Sequence, residues 1–206
     1  MLTVGLCGGS GSGKSTAASL FSALGIPSLN ADTLYHELTS QKTPCLDELR
    51  DAFGEGIIRD GALDRRALSR IVFADTEEAR AARATLNRIA HAHVLTEARR
   101  RLAALAAQGV RVALFDAPLL FESGFDASCD LVVCVVAEER VRIARLCERD
   151  GLTEEQARAR LRAQLSDREL IARSDRVLHN SGELTDLCAE VKALAEELYR
   201  ISNEKK

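Results

Sequence analysis

The sequence predicts an α/β protein: three layers, α/β/α, around a five-stranded parallel sheet, with a helical insertion and a helical lid. Three observations predict it. Gly8-Gly9-Ser10-Gly11-Ser12-Gly13-Lys14-Ser15 fits the pattern G-x-x-x-x-G-K-[ST] at every fixed position. An apolar run, Leu2 to Cys7, precedes the motif and a helical pattern follows it. Further short runs rich in Val, Leu and Phe alternate with helical patterns, the rhythm of βαβ units and parallel strands. Together they give a core of the P-loop NTPase type.

In chain order, Leu2 to Cys7 reads as a buried strand that stops at glycines. Lys14 to Leu24 reads as a helix with Ala17, Leu20, Phe21 and Leu24 on one face, and Gly25 stands where a helix C-terminus favours a residue without Cβ. Ile26 to Ala31 is the second strand. Residues 34–108 hold several helical patterns and no good strand, ending at Gly109. Val110 to Phe115, Leu131 to Val136 and Arg176 to His179 complete the five strands. Residues 138–161 are charged and helical, broken at Asp150-Gly151, with a capping-box start at Thr153-Glu154-Glu155-Gln156. Leu184, Leu187, Cys188, Val191, Leu194, Ala195 and Leu198 form the apolar stripe of a last helix. The expected division is a core of residues 1–33, 109–137 and 162–206, a helical region at 34–108 and a lid at 138–161. Both insertions would overhang the C-terminal edge of the sheet, where open α/β sheets bind ligands.

Composition narrows the function. The 206 residues are 46% hydrophobic and 29% charged, ordinary for a globular chain and unlike a disordered one. A net charge of −3 gives no overall attraction to nucleic acid or to an anionic membrane, and neither is an expected partner. The longest strongly apolar run, Leu131 to Ala137, falls far short of the about 20 residues of a membrane span. Met1-Leu2-Thr3-Val4 has no basic stretch leading into an apolar one, so a cytoplasmic location is expected. The cysteines, Cys7, Cys45, Cys129, Cys134, Cys147 and Cys188, form no C-x-x-C pair and read as reduced, mostly buried small hydrophobes.

The glycine-rich segment carries the chemistry. Glycines let successive backbone N–H groups turn around a phosphate, and the following helix adds the positive end of its dipole. Gly11, Ser12, Gly13, Lys14, Ser15 and Thr16 are the expected nucleotide-binding set. Lys14 reaches the β- and γ-phosphates from a solvent-facing position, the Ser15 hydroxyl ligates Mg²⁺, and Thr16 serves the α-phosphate. The motif alone does not separate kinases, GTPases and ATPases. No N-K-x-D or T-K-x-D segment marks a guanine site, and the chain is short for a mechanical ATPase. Asn30-Ala31-Asp32 follows the second strand and suits a small-molecule kinase, with Asp32 as base or orienter of an acceptor hydroxyl; the alternative for Asp32 is a helix N-cap. Asp116 ends a strand, placed to share Mg²⁺ with Ser15 or else to cap the next loop. Pro118, Leu119, Leu120 and Phe121 either wall an acceptor pocket or pack in the core. Arg142, Arg145 and Arg149 share a helical face in a stretch, 140–176, with ten arginines against seven acids. They are phosphate ligands or a solvated face.

From the glycine-rich loop to about Leu187 the chain resembles the dephospho-coenzyme A kinase family. The resemblance rests on Leu6 to Thr16, Asn30-Ala31-Asp32, Asp60-Gly61-Ala62-Leu63-Asp64-Arg65 with Leu68 and Val72-Phe73, Pro118-Leu119-Leu120-Phe121-Glu122, Arg145, Arg149-Asp150, Gln164, and Ser174-Asp175 through Asn180-Ser181-Gly182. It implies ATP-dependent phosphorylation of the ribose 3′-hydroxyl of dephospho-coenzyme A with Mg²⁺, the last step of coenzyme A synthesis. It also implies that 34–108 receives the acceptor, that His91, Leu119 and Phe121 line it with Asp32, that Arg145 acts on the transferring phosphate and Arg149 on the nucleotide, and that Asn180 borders the adenine. Three positions depart from the family: Asn30 replaces an Asp, Ala92 a Pro and Arg142 a lid Gln. A monomer or weak homo-oligomer is expected. Another P-loop kinase, acting on a nucleotide or small alcohol, and a nucleotide-dependent switch module are the alternatives.

Overall fold

A computed structural model of the chain describes residues 1–204. In chain order its elements are β1 (Leu2–Cys7), α1 (Lys14–Ala23), β2 (Ser28–Asn30), α2 (Ala31–Thr39), α3 (Pro44–Phe53), β3 (Ile58–Arg59), β4 (Ala62–Leu63), α4 (Arg65–Val72), α5 (Glu77–Ala107), β5 (Val112–Asp116), β6 (Leu131–Val136), α6 (Glu139–Asp150), α7 (Glu154–Arg162), α8 (Asp167–Ala172), β7 (Arg176–His179) and α9 (Leu184–Glu204). The chain divides into two compact units: Met1–Leu29 with the chain from Leu102 onward, and Asn30–Arg101.

The first unit carries the five-stranded sheet, in the order β2-β5-β1-β6-β7. β1 runs parallel to both β5 and β6, with Leu2 opposite Val112 and Val4 opposite Leu131, and β6 runs parallel to β7. A central strand is covered on both faces, which is why Leu2–Cys7 is apolar almost throughout. Leu2, Val4 and Leu6 face one way, into a cluster with Phe21 of α1 and Val191 and Leu198 of α9. Gly5 faces the other way, and a Cβ there would lie 2.8 Å from Leu120 and 3.0 Å from the Cys129 sulfur. That glycine lets the loop after β5 seat directly on the sheet, where the Phe115 and Phe125 rings pack with centroids 4.0 Å apart.

The five expected strands are the five found, two of them with other bounds: β5 begins at Val112 and not at Val110 and reaches Asp116. β2 begins at Ser28 and not at Ile26, and it stops at Asn30. Asn30 already caps α2: its side-chain oxygen accepts from the Thr33 N–H at 2.9 Å. Ile26 is buried in the α1/α9 cluster instead. α1 ends at Ala23, with Leu24 as its C-cap and Gly25 at φ 81°.

The second unit has its own core, in which Cys45, Leu49, Ile57, Leu68, Val72 and Ile89 are buried together. Residues 34–108 were expected to hold no strand, yet β3 and β4 form a two-residue antiparallel hairpin. Its turn is Asp60-Gly61, with φ of 52° and 77°. Two successive positive φ values are the mark of the tight hairpin turn that Asp-Gly favours. The arms were too short to register as alternating strands. Directly after them, Asp64 caps α4 by accepting from the N–H groups of Arg66 and Ala67 at 2.9 and 3.0 Å.

All six cysteines are free, and Cys7, Cys45 and Cys134 are buried. Burial pushes the Cys45 thiol up to about 11 and the Cys129 thiol up to about 12, so both stay protonated at neutral pH. No helix among the described residues is long and apolar enough to cross a membrane.

Candidate active site

The loop between β1 and α1 is closed by the Ser12 N–H donating to the Gly9 carbonyl at 3.1 Å. Gly11 and Gly13 stand at φ 77° and 89°, a region that favours glycine. A side chain at Gly13 would run into the Asn180 amide, and a Cβ at Gly11 would lie 2.7 Å from the Arg142 carbonyl oxygen. The pattern of glycines in the sequence is therefore a statement about how closely the surrounding chain approaches.

Three successive loop carbonyls are held from outside. Arg142 Nε donates to the Ser10 carbonyl at 2.9 Å. Arg145 Nη1 donates to the Gly11 carbonyl at 3.3 Å, and Asn180 Nδ2 to the Ser12 carbonyl at 2.8 Å. A trans peptide points its N–H opposite to its C=O. Turning these carbonyls outward turns the N–H groups of Gly11, Ser12 and Gly13 to the other side. The N–H groups of Gly11 and Gly13, with the open first turn of α1, form a concave run of donors suited to an anion. Gln164 steadies the same loop by accepting from the Ser10 N–H at 2.9 Å.

Lys14 was expected to face solvent, and it does not. Its ammonium pairs with Asp116 at the end of β5, and the two side chains are only 11% and 4% exposed. Asp116 thus comes to the loop as expected, and its partner there is the lysine. Ser15 and Thr16 are exposed in the first turn of α1. Among the described residues no three His, Cys, Asp or Glu side chains gather in a metal-binding group. Ser15 and Asp116 remain the candidates for Mg²⁺, an ion that takes one or two protein ligands and completes its shell with water and phosphate oxygens.

The expected arginine face divides. Arg140 is 83% exposed and pairs with Glu138 at 2.6 Å, the solvated alternative. Arg142 is buried, at 6% exposure, which overturns the solvated reading for this residue. Arg145 is half-buried and, besides Gly11, donates to the Asn180 side-chain oxygen at 3.4 Å. Arg149 instead forks on its neighbour Asp150, at 2.7 and 2.8 Å, with 61% of its side chain exposed. The acceptor wall divides too. Leu120 and Phe121 are buried, with the Arg173 guanidinium 4.0 Å above the Phe121 ring, while Leu119 is 44% exposed. Leu120 packs on Gly5, the core alternative, and Phe121 packs under the Arg173 guanidinium.

Asp32 and His91 lie in the second unit. Asp32 is exposed in the first turn of α2, and the capping role that was its alternative belongs to Asn30. His91 is half-buried on α5. Three contributors were missed from the sequence: Arg142 as a loop support, Asp167 as its partner at 2.6 Å, and Arg173 over Phe121. A capping box, Ser166 to Glu169, could have placed Asp167 at the first turn of a helix, but nothing in the sequence pairs it with a residue 25 positions earlier.

A family model described as dephospho-CoA kinase matches residues 2–186. A dephospho-CoA kinase of Corynebacterium glutamicum is 41% identical over 204 residues, covering 98% of this chain and 100% of that protein. The crystal structure of TT1252 from Thermus thermophilus is similar at a TM-score of 0.76 and 36% identity, covering 96% of this chain and 97% of that one. A dephospho-CoA kinase from Campylobacter jejuni shares the fold at a TM-score of 0.70 and 24% identity, covering 99% and 98%. The phosphate loop between β1 and α1 and the whole-length similarity lead to one assignment: the chain belongs to the dephospho-CoA kinase family.

Proposed function

We propose that the chain transfers a phosphoryl group from ATP to the ribose 3′-hydroxyl of dephospho-coenzyme A, the last step of coenzyme A synthesis. The observation that carries this reading is the phosphate loop, its carbonyls turned outward onto Arg142, Arg145 and Asn180, in a chain of this family. ATP supplies the phosphoryl group, and Mg²⁺ offsets its charge. The N–H groups of Gly11 and Gly13 and the ammonium of Lys14 hold phosphate oxygens, Ser15 and Asp116 hold the metal, and Thr16 serves the α-phosphate. Arg145 meets the charge that spreads over the transferring group. Asn180 and Arg149 belong to the nucleotide side. Asp32 accepts the hydroxyl proton and orients the acceptor, which residues 34–108 receive with His91 and the exposed Leu119. Residues 138–161 act as the lid, and the enzyme works in the cytoplasm as a monomer or weak homo-oligomer.

Release of ADP with a panel of acceptors tests the reading. Turnover with dephospho-coenzyme A, and none with adenosine, AMP, shikimate or a simple alcohol, is the expected result. Equal turnover with other nucleotides would move the chain to another kinase specificity. Slow hydrolysis indifferent to every acceptor would make it a nucleotide-dependent switch.

A further inference from the structure

Gly11 gives the phosphate loop its close approach, but a glycine also lets the peptide before it rotate cheaply. Rotation of the Ser10–Gly11 peptide would carry the Gly11 N–H out of the donor concavity. Both sides of Ser10 are held: its N–H by Gln164 and its carbonyl by Arg142 Nε, each at 2.9 Å. Arg142 is suited to this work because its own position is set. Its side chain is 7% exposed, and Asp167 takes Nη1 at 2.6 Å. A buried guanidinium persists only where its N–H groups are matched, so this ion pair fixes where Nε points. The fit is close: a Cβ at Gly9 would collide with the guanidinium, and one at Gly11 with the Arg142 backbone.

We propose that Arg142, oriented by Asp167, is a positioning residue that sets ATP affinity by locking the Ser10–Gly11 peptide with its N–H toward the phosphates. It touches neither substrate; its effect passes through the loop backbone. The inference rests on the reading of the loop as the ATP site, and not on the identity of the acceptor.

Two substitutions separate the halves of the contact. Arg142→Gln places an amide nitrogen where Nε stood, one bond beyond Cδ, and gives up the pair with Asp167. Arg142→Lys keeps a charge for Asp167 but puts a methylene at the Nε position. Binding of ATP to the folded protein, measured by calorimetry without acceptor, is the first readout. Loss of a hydrogen bond from a charged donor predicts about tenfold weaker ATP binding for Arg142→Lys, and a smaller loss, about threefold, for Arg142→Gln, which keeps the donor but not the pair that orients it. KM for ATP should rise in step for Arg142→Lys while turnover at saturating ATP changes by less than about threefold, the pattern of lost uniform binding. Affinity for dephospho-coenzyme A should not move. Unchanged ATP binding by Arg142→Lys, or equal weakening by both variants, would overturn the inference and leave Arg142 as packing. Unsubstituted protein that binds ATP but does not phosphorylate dephospho-coenzyme A would overturn the acceptor assignment instead.

Discussion

Replacing Lys14 tests the site through stability as well as through rate. The sequence suggests that its loss should remove a charge from solvent and leave the fold untouched. The structure says otherwise, because Lys14 and Asp116 are paired with side chains 11% and 4% exposed. Lys14→Met keeps most of the aliphatic volume and takes away the ammonium. Breaking a buried pair from one side typically costs about 3–5 kcal/mol. The variant should therefore be destabilised by about 3–5 kcal/mol. Urea unfolding reads the loss. Adding Asp116→Asn should recover stability to within about 1 kcal/mol of the unsubstituted protein, while activity stays down by about 10²-fold or more because the cation is still missing. A Lys14→Met protein as stable as the original, or one that Asp116→Asn does not rescue, would refute the reasoning and return Lys14 to solvent.

Asp32→Asn should lower turnover by about 10²–10⁴-fold while ATP affinity holds. If affinity falls and turnover does not, Asp32 serves the metal and not the acceptor. Hydrogen exchange across residues 138–161 should slow when a non-hydrolysable ATP analogue and acceptor are added, most in α7 and least around Arg142, which the loop already holds. Exchange indifferent to ligand would make the segment a fixed part of the core. Hydrogen bonds from Arg100, then Arg101, hold the Glu97 carboxyl down to about 2. Because its folded value is depressed, its contribution is present above about pH 4.5 and lost as pH falls toward 2. Its partners are 67% and 34% exposed, which limits the effect to about 1 kcal/mol. Glu97→Gln should thus be less stable than the original at pH 7 and equal to it near pH 2, as followed by thermal unfolding.

The sheet was legible because its signals are local. β1, β6 and β7 have the bounds that their apolar runs suggest, and the glycine-rich motif sits between strand and helix as its spacing requires. The errors have physical causes. Asn30 looked like a weakened carboxylate, but a side-chain oxygen before Ala31 makes a good cap and cuts β2 short. The β3–β4 hairpin hid because a two-residue arm has no period to read. Leu120 looked like a pocket wall because sequence cannot see the gap that Gly5 opens on the far face of β1. Arg142 read as a phosphate ligand or as part of a solvated face, not as a support for the loop. Only the tertiary arrangement, with Ser10 on one side and Asp167 on the other, distinguishes it from Arg140 two positions earlier.

The placement of the loop supports also bears on synthesis. The loop is made early, on a strand that ends up in the middle of the sheet, whereas Arg142, Arg145, Gln164 and Asn180 follow the residues they hold by 132, 134, 154 and 168 positions. At roughly 5–20 residues per second, a ribosome needs on the order of ten seconds or more to cover that distance. During this interval the growing chain carries a glycine-rich segment whose carbonyls have nothing to turn toward. Nucleotide stabilises a chain in proportion to how well it binds, so cellular ATP favours a chain that has its loop supports over one still short of them, a prematurely terminated fragment included. The abundant ligand thereby discriminates finished molecules from unfinished ones, and the fragments remain open to proteolysis.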